Sequence, residues 1–191
     1  MVRYSKRHMY RVTKIINAPL KFVYDWCTDY REDDNQITGS KAQFKILQKT
    51  NRRVIYLRTY ERDGRTMIGV KMVTLRPPKA WHLDQVGEDE DAIGIYKLTR
   101  VGLEKTRLDM TFTEKYRISD APTKEEDRKV TDQMWDRYVA ALEKDYTSPI
   151  NKTRRTTCLL EGQTTGNFGP QKTSLSARKT RAPASEICVL H

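Results

Sequence analysis

The sequence is short of the residues on which disulfide-stapled and metal-bound proteins depend. Its three cysteines, Cys27, Cys158 and Cys188, form an odd set without CxxC spacing, which argues against a disulfide framework or a zinc site. Cys27 falls in an apolar helical segment and reads as a buried, inert thiol. The three histidines, His8, His82 and His191, form no ligand cluster. No stretch approaches the roughly 18 consecutive apolar residues of a membrane span. The basic N-terminus MVRYSKRHMYRVTKII has neither an apolar h-region nor a small-residue cleavage site, so a cytoplasmic location is expected. A phosphate-cradling glycine-rich loop, a GxSxG elbow and an HExxH signature are also missing, and no metal or cofactor is expected. Asn151-Lys152-Thr153 matches a glycosylation sequon, and Cys188 to His191 outlines a prenylation box with an atypical last residue; both read as chance matches.

Charge is abundant, with a formal net value of +11, and its placement limits its meaning. Arg3, Lys6, Arg7, Arg11 and Lys14 put +5 into the first fourteen residues, and the segment from Thr147 onward carries another +5. Residues 15–146 therefore carry only +1. A nucleic-acid-binding domain concentrates its charge on one folded face. Here the basic residues sit at the two ends, so nucleic acid or an anionic membrane is a possible partner through the termini and not the favoured one.

Periodicity divides the chain. Tyr10 to Ile16 alternates as a strand, and Pro19 suits the first turn of a helix in which Phe22, Val23, Trp26 and Cys27 recur at helical spacing. The polar stretch that follows leaves room for one more helical turn. From Gln43 six β-rich runs follow one another, separated by short polar or turn-forming breaks. Connections this short make an antiparallel meander, and Asp63-Gly64 is its clearest hairpin turn. Thr123 to Glu126 fits a capping box, after which Val130, Met134, Tyr138, Leu142 and Tyr146 mark a long amphipathic helix with Trp135 and Val139 beside them. Arg128, Asp132, Asp136, Arg137, Glu143 and Lys144 read as its solvated face. Beyond Thr147 the composition is polar, small and basic, and cannot offset an ordering entropy of roughly 1–2 kcal/mol per residue. The expected division is a basic arm over residues 1–8, one domain over 9–147 and a disordered basic tail over 148–191.

The fold class is therefore α+β: a curved antiparallel sheet of about seven strands around a long C-terminal helix, with one or two short helices after the first strand. Ile16-Asn17-Ala18-Pro19, followed by Val23-Tyr24 and Trp26, resembles the opening signature of the START-like SRPBCC superfamily. Lys105-Thr106-Arg107-Leu108 stands where that superfamily has Gly-Thr-x-Val or Leu, with Lys105 departing from the usual glycine. Trp135-Asp136-Arg137-Tyr138 and the run from Leu142 to Tyr146 are similar to the closing helix of its polyketide cyclase/dehydrase and lipid-transport branch. The resemblance covers residues 9–146. It implies a helix-grip fold with an internal cavity for lipids, polyketides, quinones or other hydrophobic molecules. Members include transporters, binding proteins, cyclases and chaperone-activating domains, so the activity stays open.

The leading expectation is a non-enzymatic binder or carrier of a hydrophobic small molecule. Its cavity walls are expected from Ile68, Val70, Met72, Tyr96, Leu108, Met110 and Phe112 on the sheet and from Met134, Trp135, Tyr138 and Leu142 on the helix. The alternative is a cyclase- or dehydrase-like enzyme using the same pocket, with His82, Asp84 or Glu114 moving a proton. His82 and Asp84 share a strand face, and Glu114 follows Leu108, Met110 and Phe112 on the inner parity of the last strand. Tyr56, Arg58 and Tyr60 share a mixed aromatic and cationic face that suits either a carboxylate or phosphate clamp or a half-exposed sheet surface. A third alternative is an interaction module working through its basic termini.

Overall fold

The period-two runs become seven strands, β1 (Lys6–Ile16), β2 (Gln43–Lys49), β3 (Arg53–Arg62), β4 (Arg65–Arg76), β5 (Ala80–Gly87), β6 (Glu90–Gly102) and β7 (Lys105–Tyr116). The structure, a computed structural model, describes residues 4–32 and 34–148. The tail from residue 149, with Cys158, Cys188, the sequon and the C-terminal box, lies outside the described residues. All seven strands form one sheet in the order β1-β7-β6-β5-β4-β3-β2, each neighbour antiparallel. The strands β2 to β7 are a meander. The first strand closes back against the last, while α1 (Leu20–Cys27) and α2 (Asn35–Thr38) intervene between the two edge strands. Asp63 and Gly64 both have positive φ between the paired Arg62 and Arg65, the two-residue turn that suits the right-handed twist of a hairpin.

Strand β1 begins at Lys6, upstream of the expected Tyr10. Lys6, Arg7 and His8 pair with Tyr116, Lys115 and Glu114, so this part of the expected arm is strand. The apolar alternation missed it because the inward positions there are Lys6 and His8. Lys6 Nζ donates to the Ala121 carbonyl at 2.5 Å, and His8 packs against Asp127.

Helix α3 (Lys124–Thr147) starts at a complete capping box, in which the Thr123 side chain accepts from Glu126 N–H and the Glu126 carboxylate accepts from Thr123 N–H. Its buried side chains are Asp127, Thr131, Trp135, Leu142 and Tyr146. Val130, expected on the apolar stripe, is 64% exposed, because the buried face is rotated to include two polar residues. The charged face is more than solvated. Lys14 Nζ lies 2.9 Å from Asp132 and 2.5 Å from Asp136, Glu143 accepts from Asn17, and Arg137 donates to the Thr38 carbonyl. These contacts fix α3 over β1 and over the α1–α2 segment. Beneath it Ile16, Val23, Val73, Leu98, Leu108, Met110 and Leu142 form the tightly packed core. Among the described residues no helix is long and apolar enough to cross a membrane.

Two substitutions separate packing from capping. Leu108→Ala should cost about 2–5 kcal/mol through lost burial and a residual cavity, and Thr123→Ala about 1 kcal/mol through the lost cap. Urea unfolding with an unchanged slope is the measurement, and equal losses at the two sites would contradict this description of the core.

Candidate ligand cavity

Antiparallel register places inward side chains of adjacent strands side by side, in rungs that cross the sheet. One rung runs Tyr56, Lys71, Gln85, Ala92, Glu114 and His8 over β3, β4, β5, β6, β7 and β1. The next runs Val73, Leu83, Gly94, Phe112 and Tyr10, and the one after it Leu75, Trp81, Tyr96, Met110 and Val12. The sheet floor thus changes from polar to aromatic within two rungs. Between this floor, α3 and the end of α1 lies a cavity of about 290 Å³. Aromatic rings dominate its wall, with Trp26, Tyr30, Tyr56, Trp81, Tyr96, Phe112, Trp135 and Tyr138 among them. Trp81 and Tyr96 stack at 4.7 Å and 11° between planes, and Phe112 meets Tyr96 edge-on at 5.6 Å. Tyr96 lies flat because Gly94 is beneath it: a Cβ at that position would come within 2.9 Å of the ring.

The polar end holds Arg58, Lys71, Gln85, Glu90, Glu114 and Thr131. Arg58 pairs with Glu90 at 2.8 Å, and Gln85 donates to the same Glu90 oxygen at 2.6 Å. Glu114 accepts from the Tyr10 hydroxyl at 2.6 Å and from the Tyr116 hydroxyl at 2.5 Å. Tyr116 also reaches Asp127 at 2.9 Å, and His8 Nδ1 stands 3.2 Å from the other Asp127 oxygen. One phenolic proton thus faces two buried carboxyl groups. Burial pushes both Glu114 and Asp127 above the usual carboxylate range; for Glu114 the hydrogen bonds from Tyr10 and Tyr116 oppose this, and the neighbouring Asp127 charge adds to it.

Lys71 differs from its neighbours. Among the described residues its amine has no hydrogen-bond or ion-pair partner, although Arg58, Glu90 and Glu114 surround it electrostatically. Burial pushes it down to about 8, and the nearby Arg58 guanidinium acts in the same direction, against the opposing pull of Glu90 and Glu114. Burial also raises the phenols of Tyr30, Tyr56, Tyr96 and Tyr138, which are therefore neutral donors, and it raises the Cys27 thiol. The indole N–H of Trp135 is buried without a partner among the described residues.

Of the residues expected to line a cavity, Tyr96, Phe112, Met134, Trp135 and Tyr138 are on its wall. Leu108, Met110 and Leu142 are at most 1% exposed and belong to the solid core. Ile68, Val70 and Met72 have the wrong parity: Gly69, Lys71 and Val73 take the inward positions, and Ile68 and Val70 are 43% and 42% exposed on the outer face. His82 and Asp84 also face outward, 3.1 Å apart, because Trp81, Leu83 and Gln85 take the inward positions of β5. Of the three proton-carrier candidates only Glu114 reaches the cavity. Tyr56 and Arg58 both face the cavity, with the Arg58 guanidinium engaged by Glu90. Sequence reasoning missed Lys71, Gln85, Glu90 and Thr131. Their signal was a polar residue standing where the apolar pattern of an inner face is interrupted.

The sequence matches no family model and no curated protein. Its architecture defines the class: an α+β helix-grip fold. Solved structures share it, and it is the fold of the START-like SRPBCC superfamily. The Zhui aromatase/cyclase from Streptomyces sp. R1128 superposes with a TM-score of 0.59 at 13% identity, covering 76% of this chain and 98% of that one. A START superfamily protein from Mycobacterium smegmatis superposes at 0.54 with 16% identity over 71% and 94% of the two chains. The major latex-like protein 151 from Panax ginseng gives 0.54 at 9% identity over 71% and 97%.

The depressed Lys71 has a signature in stability. Its folded value of about 8 lies below the ordinary 10.5, so the folded state releases this proton first and stability rises between those two values. Lys71→Met should therefore raise Tm at pH 7, and its advantage over the parent should shrink from pH 8 to 10.5. A difference in Tm that does not change with pH would show that the amine is solvated.

Proposed function

We propose that this chain binds a compact hydrophobic small molecule, polyketide- or quinone-like, in the cavity beneath α3. The observation that carries the reading is a cavity walled by aromatic rings that grades into a rung of unlike polar groups. Small-molecule sites have this character, mostly apolar with a few convergent polar groups. The volume of about 290 Å³ lies at the small end of the roughly 300–1,000 Å³ usual for such sites, which favours a molecule of one or two fused rings over a two-chain lipid. The unpaired Trp135 N–H and the neutral phenols supply donors for carbonyl or hydroxyl oxygens, and a buried donor left unmet costs about 1–3 kcal/mol. Fold neighbours that include an aromatase/cyclase support the same ligand class.

An enzymatic reading, cyclase- or dehydrase-like, is favoured by one observation. Glu114 faces the cavity with its carboxyl held toward the protonated form, as a general acid requires. His82 and Asp84 play no part in it. The interaction-module reading loses support at the N-terminus, where Lys6 is spent on the Ala121 carbonyl and Lys14 on Asp132 and Asp136.

Two measurements test these readings. Native mass spectrometry of freshly purified protein should show one small apolar molecule per chain, and 2-naphthol should quench the cavity tryptophans saturably. Gly94→Ala, which forces the Tyr96 ring upward, should weaken that binding at least tenfold, whereas Ile95→Ala on the outer face should leave it unchanged. Neither a bound mass nor saturable quenching would overturn the binding reading. Glu114→Gln should leave binding within a few fold and abolish any turnover if the enzymatic reading holds.

A further inference from the structure

The cavity contains a group that simple binding does not explain. Lys71 is half-buried at the polar end of the cavity, where a lysine amine is usually paired with a carboxylate. Lys71 is inward on β4, between the aromatic Tyr56 of β3 and the amide of Gln85 on β5, and it lines the cavity. The charged groups around it are Arg58 from β3, Glu90 from β6 and Glu114 from β7. Glu90 is engaged by Arg58 and Gln85, and Glu114 by Tyr10 and Tyr116. Behind Glu114 stand Asp127 of α3 and His8 of β1, 3.2 Å apart, while Arg31 and Asp34, which pair with each other, line another part of the wall. Among the described residues Lys71 itself makes no hydrogen bond or ion pair, and Glu90 and Glu114 act on it only through space.

We propose that Lys71 is a nucleophilic amine that forms an imine with a ketone or aldehyde group of the bound molecule, with Glu114 as the proton donor. The proposal rests on the cavity being the ligand site. The Lys71 nitrogen lone pair forms the N–C bond, and the carbonyl π electrons move to oxygen, which takes a proton from the amine through Glu114. The C–O bond of the resulting carbinolamine then breaks, and its oxygen leaves as water with the Glu114 proton. Neutral amine, carbonyl and carboxylic acid thus become iminium, carboxylate and water. The new positive charge is formed where Glu90 and Glu114 offset it, and no oxidant or reductant is consumed. Two features suit the amine to this role. Desolvation and an adjacent cation are the standard means of keeping a lysine neutral. With a value of about 8 against the ordinary 10.5, its neutral fraction at pH 7 is roughly two orders of magnitude above that of a surface lysine. The aromatic wall, for its part, limits access of water to the imine.

The test uses the full chain at pH 7.5 with 2-naphthaldehyde as probe, sodium cyanoborohydride as trap and peptide mapping as readout. The expected result is one naphthylmethyl group per chain on Lys71, formed at least tenfold faster than on any other lysine, with a rate that rises through pH 8. Lys71→Met should lose this label and Glu114→Gln should slow it at least tenfold, whereas Ile95→Ala on the outer face should leave both the label and the binding of 2-methylnaphthalene, which has no carbonyl, unchanged. Saturable 2-methylnaphthalene binding with no preferred label at Lys71 would refute the imine and leave the binding reading standing. If 2-naphthoic acid binds through Lys71 at least tenfold more tightly than 2-methylnaphthalene while the aldehyde is not trapped, the amine is an ion-pair partner and the imine is again refuted. If none of the three naphthalenes binds, both readings fall.

Discussion

A single helix has to cover the concave face of seven strands, and most of this structure follows from where that helix is fastened. The fastenings of α3 to the sheet are at the β1 side, Tyr10 to Thr131, Lys14 to Asp132 and Asp136 and Asn17 to Glu143, and Arg137 adds one to the backbone of α2. A helix is about 10–12 Å across with its side chains, so once held over β1 it does not reach every strand of a sheet whose strands are about 4.8 Å apart. Over β3 to β6 the sheet is met by rings instead. Large flat side chains reach far from the backbone, but they leave space between them where branched aliphatic chains would close it. The same chain has a solid core where β1, β7 and β6 lie under α3 and α1, built of Ile16, Leu108, Met110, Leu98 and Leu142.

The polar rung is the opposite of a core. Lys71, Gln85, Glu114 and His8 occupy positions that strand alternation reserves for apolar residues, and two carboxyl groups on α3 and β7 share one phenol. Each such group is costly to bury, and a hydrophobic set of similar volume is often at least as stable. Stability therefore does not account for the rung. Departures of this kind from local sequence rules concentrate at functional sites.

The architecture was legible from the sequence because it rests on period. Alternation over Gln43 to Tyr116, the Asp63-Gly64 turn and the Thr123 capping box each report a local physical demand, and the structure meets all three. The site was legible only where apolar residues marked the inner face: the β7 series led to Phe112 and Glu114, and the helix stripe led to Met134, Trp135 and Tyr138. It failed on β4, where Ile68, Val70 and Met72 are the apolar set and lie outside, while Gly69, Lys71 and Val73 lie inside. A strand with apolar residues on both faces carries no parity signal, and only its pairing with β3 and β5 fixes which way it turns. For the same reason Asp127 and Thr131 could not be read from the stripe of α3, being polar residues on its buried side.

Gly94 shows how little covalent change separates this cavity from a filled core. The floor under Tyr96 is a single hydrogen atom, and the ring above it braces Trp81 on one side and Phe112 on the other. One methyl group at that backbone position would raise the ring and tilt the stack it braces. The cavity of this chain can therefore be reshaped without replacing a wall residue, by adding mass behind the wall. In this molecule the shape of the cavity floor depends on a backbone position behind the wall.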